Sequence, residues 1–382
     1  MRQDDQGNMA GRGRFAGAGV RAAQAAGLAL TLAAAPGAVR AQDELPGWRA
    51  CTALRDREQR LACFDGLAEK ARALAPPSPP VAGDSREKDT PAKDCNTSGP
   101  PGLARFWELQ ENTSCGTYAL RGYRPNSASL VVGSTVNDQP TSANPLNNAT
   151  TSQPYRTVET RIQLSLRTKL FEGLLAHDAG EEAPRDSLWF GYTQQSYWQL
   201  FTPSISRPFR STDHEPELMY VYPLAQALGQ GWTLRYGGLG LVHQSNGQSL
   251  PYSRSWNRAY LMAGMEHAGG FTVQGRLWKR MHESAGSDDN PGISDYIGRG
   301  ELTAAWNVNP NHAFIVTLRH PLNGTNRGSA RVEWLQRLPT RSPSTLGNLR
   351  LHTQLFTGYG DSLLDYNRHR TVFTVGFSLV DW

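Results

Sequence analysis

Long apolar runs are missing from most of this 382-residue chain. Beyond residue 41, no stretch approaches the roughly 18–20 apolar residues that a membrane-crossing helix needs. That absence excludes helical spans there. It does not exclude barrel strands, which alternate lipid-facing and lumen-facing residues and so escape a hydropathy window. Cysteine is scarce too. The four present are Cys51, Cys63, Cys95 and Cys115, with no Cys-x-x-Cys and no His/Cys group at zinc-ligand spacing. Net charge is small, at +5. The first 41 residues carry +3 of it, five arginines against Asp4 and Asp5, which leaves +2 for the rest. No Lys/Arg block interleaved with aromatics occurs, so nucleic acid is not an expected partner. No internal repeat is visible beyond a two-residue alternation.

What is present begins with an export signal over residues 1–41. Arg12, Arg14 and Arg21 precede an apolar segment at 22–38, and Val39-Arg40-Ala41 has the form of a small-residue cleavage site. Residues 1–8 add nothing that a signal needs, so Met9 is an alternative start. An exported chain meets an oxidising compartment, and an even cysteine count there suggests disulfides. Sequence neighbours would pair as 51–63 and 95–115, although spacing does not fix the connectivity.

Three kinds of segment follow. Residues 42–73 form a cysteine-containing helical extension, in which Leu54, Leu61, Phe64 and Leu67 can share one helical face. Residues 74–112 are a linker; the stretch up to 101 is rich in Pro, Ser, Lys and Asp and cannot bury a core. From about residue 117 the pattern turns to alternation. In 162–170, Ile162, Leu164, Leu166 and Leu170 point one way, while Gln163, Ser165, Arg167 and Lys169 point the other. About twelve such strands are predicted, ending with 371–382, separated by turn residues such as Gly229-Gln230-Gly231. Aromatics recur near strand ends, among them Trp189, Tyr192, Trp198, Tyr222, Trp256 and Trp306, as in an interfacial girdle. Together these features predict an all-β fold, a transmembrane antiparallel β-barrel over residues 113–382. Closure is what leaves no unpaired backbone edge in lipid.

Chemistry concentrates at residues 239–260, LGLVHQSNGQSLPYSRSWNRAY. Two residues apart on a strand, His243 and Ser245 share a face. A serine hydroxyl is a weak nucleophile without a base in reach, and histidine titrates in the useful range. The imidazole needs a partner on its other nitrogen, and Asn257 can supply a carbonyl oxygen from the next strand. Alone, a His-x-Ser pair more often belongs to a polar lumen face beside a loop. The acidic DDNP at 288–291 lacks EF-hand spacing and reads as a polar loop.

The segment HQSNGQSLPYSRSWNR resembles the active-site segment of the outer-membrane phospholipase A family. Supporting matches are YTQQSYWQL at 192–200, SRPFR at 206–210, EPEL at 215–218, GWTLR at 231–235, DDNP, and GYGDSLLDYN at 358–367. They span roughly 118–382. The resemblance implies a calcium-dependent enzyme that hydrolyses phospholipid acyl esters in the outer membrane of a Gram-negative bacterium, active as a homodimer. It makes Ser245 the nucleophile, His243 the base and Asn257 the residue that orients it. Gly247 would offer its N–H to the oxyanion. Calcium would be held by Ser253, by Gln248 through its carbonyl, and by Ser206 from the other subunit; Gln194 would lie at the dimer interface. Gln248 stands where the family pattern has arginine, and Leu250 where it has aspartate. The different-class alternative is a catalytically silent pore or structural barrel.

Overall fold

The computed structural model describes residues 48–74, 102–110, 113–175, 185–339 and 349–379. The signal segment, residues 75–101 with Cys95, and the last three residues lie outside them. The chain divides into two compact units, residues 1–86 and 87–382.

In the first unit, helices α1 (Trp48–Ala53) and α2 (Arg57–Leu74) form a hairpin closed by the Cys51–Cys63 disulfide, with a Cα–Cα distance of 5.5 Å. The expected stapled pair is therefore present. Asp56 caps α2: its Oδ1 accepts from the backbone N–H of Glu58 at 3.1 Å and of Gln59 at 2.9 Å. Those donors have no partner inside the helix, so the carboxylate replaces water there.

The second unit is the barrel. Its strands are β1 (Leu120–Gly122), β2 (Asn126–Gly133), β3 (Val158–Glu172), β4 (Ser187–Trp198), β5 (Phe209–Gly229), β6 (Trp232–Ser245), β7 (Ser255–His267), β8 (Phe271–Arg280), β9 (Gly300–Asn309), β10 (His312–His320), β11 (Ser329–Arg337), β12 (Leu349–Gly358) and β13 (Arg370–Leu379). Each pairs antiparallel with its neighbour, and β13 pairs with β2, which closes the ring. β1 and β2 both pair with β3 and occupy one position in the ring, so thirteen strands fill twelve places. The break between them falls at Pro125, which has no N–H for the ladder. Side chains bridge the gap: Asn126 Oδ1 accepts from Ser165 N at 2.6 Å, and Ser165 Oγ accepts from Arg124 N at 3.1 Å.

Alternation sorts the wall into two surfaces. Leu164, Leu241, Leu261, Leu277, Leu302, Leu355 and Phe373 are 46–66% exposed on the outside. An apolar belt of that extent suits lipid rather than water. Inside are carboxylates and guanidinium groups in pairs, such as Arg124 with Glu215 at 2.6 Å and Arg319 with Glu301 at 2.7 Å. Some of the expected girdle aromatics belong to this interior. Trp189 and Trp256 are completely buried, whereas Tyr222 and Trp306 are exposed. Parity along the strand, not nearness to its end, decides which surface a ring joins.

Residues 102–110 correct the linker boundary. They carry a short helix α3 (Leu103–Phe106), and Leu103 and Trp107 are buried against Trp189, Tyr236 and Met219. Glu266 on β7 accepts from the N–H of Leu103 at 2.8 Å and of Ala104 at 3.3 Å, tying this segment to one end of the barrel. The predicted linker thus ends before residue 102.

Candidate active site

The β6–β7 ladder builds the site. Its register sets His243 opposite Asn257 and Ser245 opposite Ser255. Directly opposed residues on neighbouring strands share a face. His243 Nδ1 lies 2.8 Å from Asn257 Oδ1. The asparagine's amide nitrogen is engaged on its far side, donating to Glu283 Oε1 at 3.3 Å. That contact turns the carbonyl end of Asn257 toward the imidazole. Nδ1 then carries the proton, and Nε2 is left as the basic nitrogen. Ser245 is two residues on from His243 along the strand, roughly 6–7 Å away between Cα atoms. No hydrogen bond joins the two side chains here, as is common before substrate draws such groups together.

The site faces outward. Gln244, between His243 and Ser245, lines the lumen, where its Oε1 accepts from Trp256 Nε1 at 2.9 Å. His243, Ser245 and Asn257 therefore point to the lipid side, and the polar-lumen reading of the His-x-Ser pair is set aside. A groove of about 280 Å³ runs along the outer wall past His243 and Asn257, walled by Phe190, Pro216, Leu218, Leu241 and Met281.

The β6–β7 loop carries the other residues. Gly247 has φ +61°, a left-handed conformation that favours glycine. The Gln248 side-chain Nε2 donates to the Arg210 carbonyl at 3.1 Å. Ser253 Oγ donates to Asp289 Oδ2 at 2.6 Å. Asp289 also accepts from Ser255 Oγ at 3.4 Å and from Asn147 Nδ2 at 3.2 Å. Asn147 Oδ1 is buried with no hydrogen-bond partner. The Ser253 hydroxyl and the Asp289 carboxylate are oxygen donors of the kind that calcium prefers. No group of three or more His, Cys, Asp or Glu side chains at metal-binding distance occurs among the described residues.

Not every expected residue joins this cluster. Ser206 is exposed in the β4–β5 loop, with φ +60°. Gln194 faces lipid on β4, its Oε1 3.3 Å from the Tyr192 hydroxyl. Leu250 is 56% exposed. Sequence reasoning missed two neighbours. Asp289 lies in the DDNP segment read as a plain loop, and only the loop packing brings it to Ser253. Glu283 carried no signal at all.

A closed barrel with an apolar outer belt, here with Ser245, His243 and Asn257 on its outer face, defines an outer-membrane β-barrel. Residues 103–379 match the family described as Phospholipase A1. A Neisseria meningitidis serogroup B protein assigned as a phospholipase A1 is 32% identical over 365 residues, covering 87% of this chain and 90% of its own length. Two solved structures agree in fold. One is the calcium-bound dimer of Salmonella typhi outer membrane phospholipase, 33% identical, with TM-score 0.58, covering 69% of this chain and 93% of that one. The other is outer membrane phospholipase A from Escherichia coli, 32% identical, with TM-score 0.58, covering 69% and 99%. The chain belongs to the phospholipase A1 family.

Proposed function

We propose that this protein hydrolyses phospholipid acyl esters in the outer membrane, with calcium, through Ser245, His243 and Asn257. The 2.8 Å contact between His243 Nδ1 and Asn257 Oδ1, on the lipid face beside Ser245, carries the reading. His243 Nε2 takes the Ser245 hydroxyl proton as Oγ attacks the ester carbonyl. The tetrahedral adduct collapses, the C–O bond to the lysophospholipid breaks, and His243 returns the proton to that leaving oxygen. Water then attacks the acyl-serine carbonyl and gives a proton to His243, which passes it to Ser245 Oγ as the acyl–Oγ bond breaks, releasing the fatty acid and the free serine. Asn257 holds the ring in the required tautomer throughout. The Gly247 N–H points at the developing oxyanion, and the outer groove takes an acyl chain.

Calcium would be held by Ser253, Asp289 and the Gln248 carbonyl, with Ser206 from a second copy; when bound it supplies positive charge near the oxyanion. Dimerisation is part of the same reading. Gln194 turns its amide to lipid, bonded to its strand neighbours Tyr192 and Ser196, and polar groups are costly to expose there. A second barrel apposed there would cover that polar row and bring Ser206 to the opposite site. A silent pore, the other reading that alternation allows, has no use for a His–Asn pair on its lipid face.

The test is hydrolysis of phospholipid vesicles by purified protein, with calcium and with chelator, beside Ser245→Ala. Activity should need both the metal and the serine. Wild-type turnover in Ser245→Ala would overturn the assignment.

A further inference from the structure

Charge in this barrel is sorted to the inside, with one exception. Of the Asp, Glu, Lys and Arg side chains on the described strands, Lys279 on β8 is the one that alternation turns outward. Trp278, beside it, packs inward under Arg258. Leu277 and Met281, two residues to either side, are 59% and 50% exposed on the outer wall. Lys279 is exposed as well, and its ammonium has no ion pair among the described residues. A lysine facing lipid is costly at the bilayer centre and cheap near its surface. Lys279 is near the surface. Register pairing of β8 with β9 ends at Leu277 and Gly300, so Lys279 lies beyond it, at the rim that carries the β6–β7 loop.

Its place beside the site follows from register. His243 faces Asn257, whose carbonyl accepts from Met281 N at 2.8 Å. One outward row along, Leu241 faces Ala259 and Ala259 faces Lys279. Lys279 is thus two strands and two residues from His243, roughly 12 Å between Cα atoms. Its flexible four-carbon stem covers about half of that. The apolar end of the outer groove runs the other way. Phe190, Pro216, Leu218 and Leu241 lie on β4, β5 and β6, and Lys279 lies on β8, with His243 and Asn257 between them.

An ester has the same two-sided layout. Its acyl chain leaves the carbonyl carbon on one side and its alcohol part on the other. In a phospholipid the alcohol part carries, a few bonds away, a phosphodiester with one negative charge. With the acyl chain in the groove and the carbonyl at Ser245, the phosphate is directed toward β8.

We propose that Lys279 is a substrate-binding residue whose ammonium takes the phosphate of the phospholipid, whatever alcohol that phosphate bears. This rests on the Ser245 reading and adds to it the side on which the head group lies. Lysine binds phosphate as a point charge and does not demand one geometry.

The test compares Lys279→Met and Lys279→Arg with the wild type in the full-length, calcium-loaded barrel, with folding checked by heat-dependent gel mobility. Methionine suits the apolar belt, so the variant should fold. Two substrates are used, a diacyl phosphatidylcholine in mixed micelles and p-nitrophenyl palmitate, which has no phosphate. Lys279→Met should raise KM for the phospholipid about tenfold and leave kcat within about twofold, the pattern of lost ground-state binding. For p-nitrophenyl palmitate neither constant should change by more than about twofold. Lys279→Arg keeps the charge and should stay within about threefold of the wild type. Salt at about 1 M should bring the wild type toward Lys279→Met, since exposed charges are screened. In Ser245→Ala, which binds without cleaving, adding Lys279→Met should weaken binding of a short-chain phosphatidylcholine by about the same factor as KM. Unchanged KM in a folded Lys279→Met would overturn the proposal and leave the lysine as a contact to bulk lipid head groups. An equal rise in KM on both substrates would overturn it too and make the lysine part of the groove. Both results leave the Ser245 assignment standing while Ser245→Ala is inactive. Hydrolysis by Ser245→Ala would sink the reading beneath the proposal.

Discussion

Two polar regions of the barrel meet at the start of β5 and behave in opposite ways. One is a buried ion cluster. Arg210 donates to Glu159 at 2.6 and 3.2 Å and to Asp365 at 3.1 Å, and Arg370 donates to Asp365 at 2.9 Å, with all four side chains fully buried. The other is the outward site, where His243 has one polar contact and Ser245 has no side-chain partner. The Gln248 bond to the Arg210 carbonyl links them. In the cluster every charge is answered by another, so its removal should cost stability. At the site the groups are left under-satisfied, so their removal should cost chemistry.

The largest effect that separates the two is expected at His243. His243→Ala should reduce turnover by about 10³-fold or more, because no other group takes the serine proton. Its denaturation midpoint should match the wild type. A large loss of stability in this variant would erase the contrast.

Arg210→Met tests the other side. It leaves the buried Glu159 carboxylate with a neutral donor, Gln199 Nε2 at 2.9 Å, and one charged contact, the longer 3.5 Å one from Arg370; breaking a buried pair in this way costs about 3–5 kcal/mol. Urea unfolding should show it. The same cluster predicts a pH dependence. Burial alone would raise the Asp365 carboxyl, but Arg210 and Arg370 outweigh it and hold its pKa down to about 2. A depressed folded-state value means that the stabilisation is fully present above the ordinary pKa near 3.8. It is lost as pH falls through about 2. Unfolding measured from pH 5 to 2 should show stability falling across that window, and less steeply in Asp365→Asn.

A smaller loss, about 10- to 100-fold in kcat, is expected for Asn257→Ala, since the asparagine only orients the ring. If it proves more damaging than His243→Ala, the two roles are reversed. Smallest of all, Glu283→Gln should cost a few-fold, because a glutamine oxygen can still accept from Asn257. Kinetics that track Asn257→Ala instead would make the carboxylate's charge, rather than its geometry, the useful property.

Much of this contrast was legible in the sequence, and the reason is parity. Alternation at 162–170 already separates Leu164 from Arg167, and the same rule puts His243 and Ser245 on one face. Twelve strand positions could be read because turns such as Gly229-Gln230-Gly231 interrupt the alternation. Resemblance along HQSNGQSLPYSRSWNR then named the residues worth watching. Sequence could not say which face was the outer one. A His-x-Ser pair looks the same toward lumen or lipid until closure of the ring puts Gln244 inside.

What the sequence determined by itself is local and periodic: the alternating strands, the helical hairpin with Cys51 and Cys63, and the shared face of His243 and Ser245. Each follows from neighbours a few residues apart. The tertiary structure alone decided the inward turn of Trp189 and Trp256, the docking of Trp107 into the barrel, and the approach of Asp289 to Ser253. Those contacts join segments tens to more than a hundred residues apart, and only strand register and loop packing, fixed once the barrel closes, bring them together.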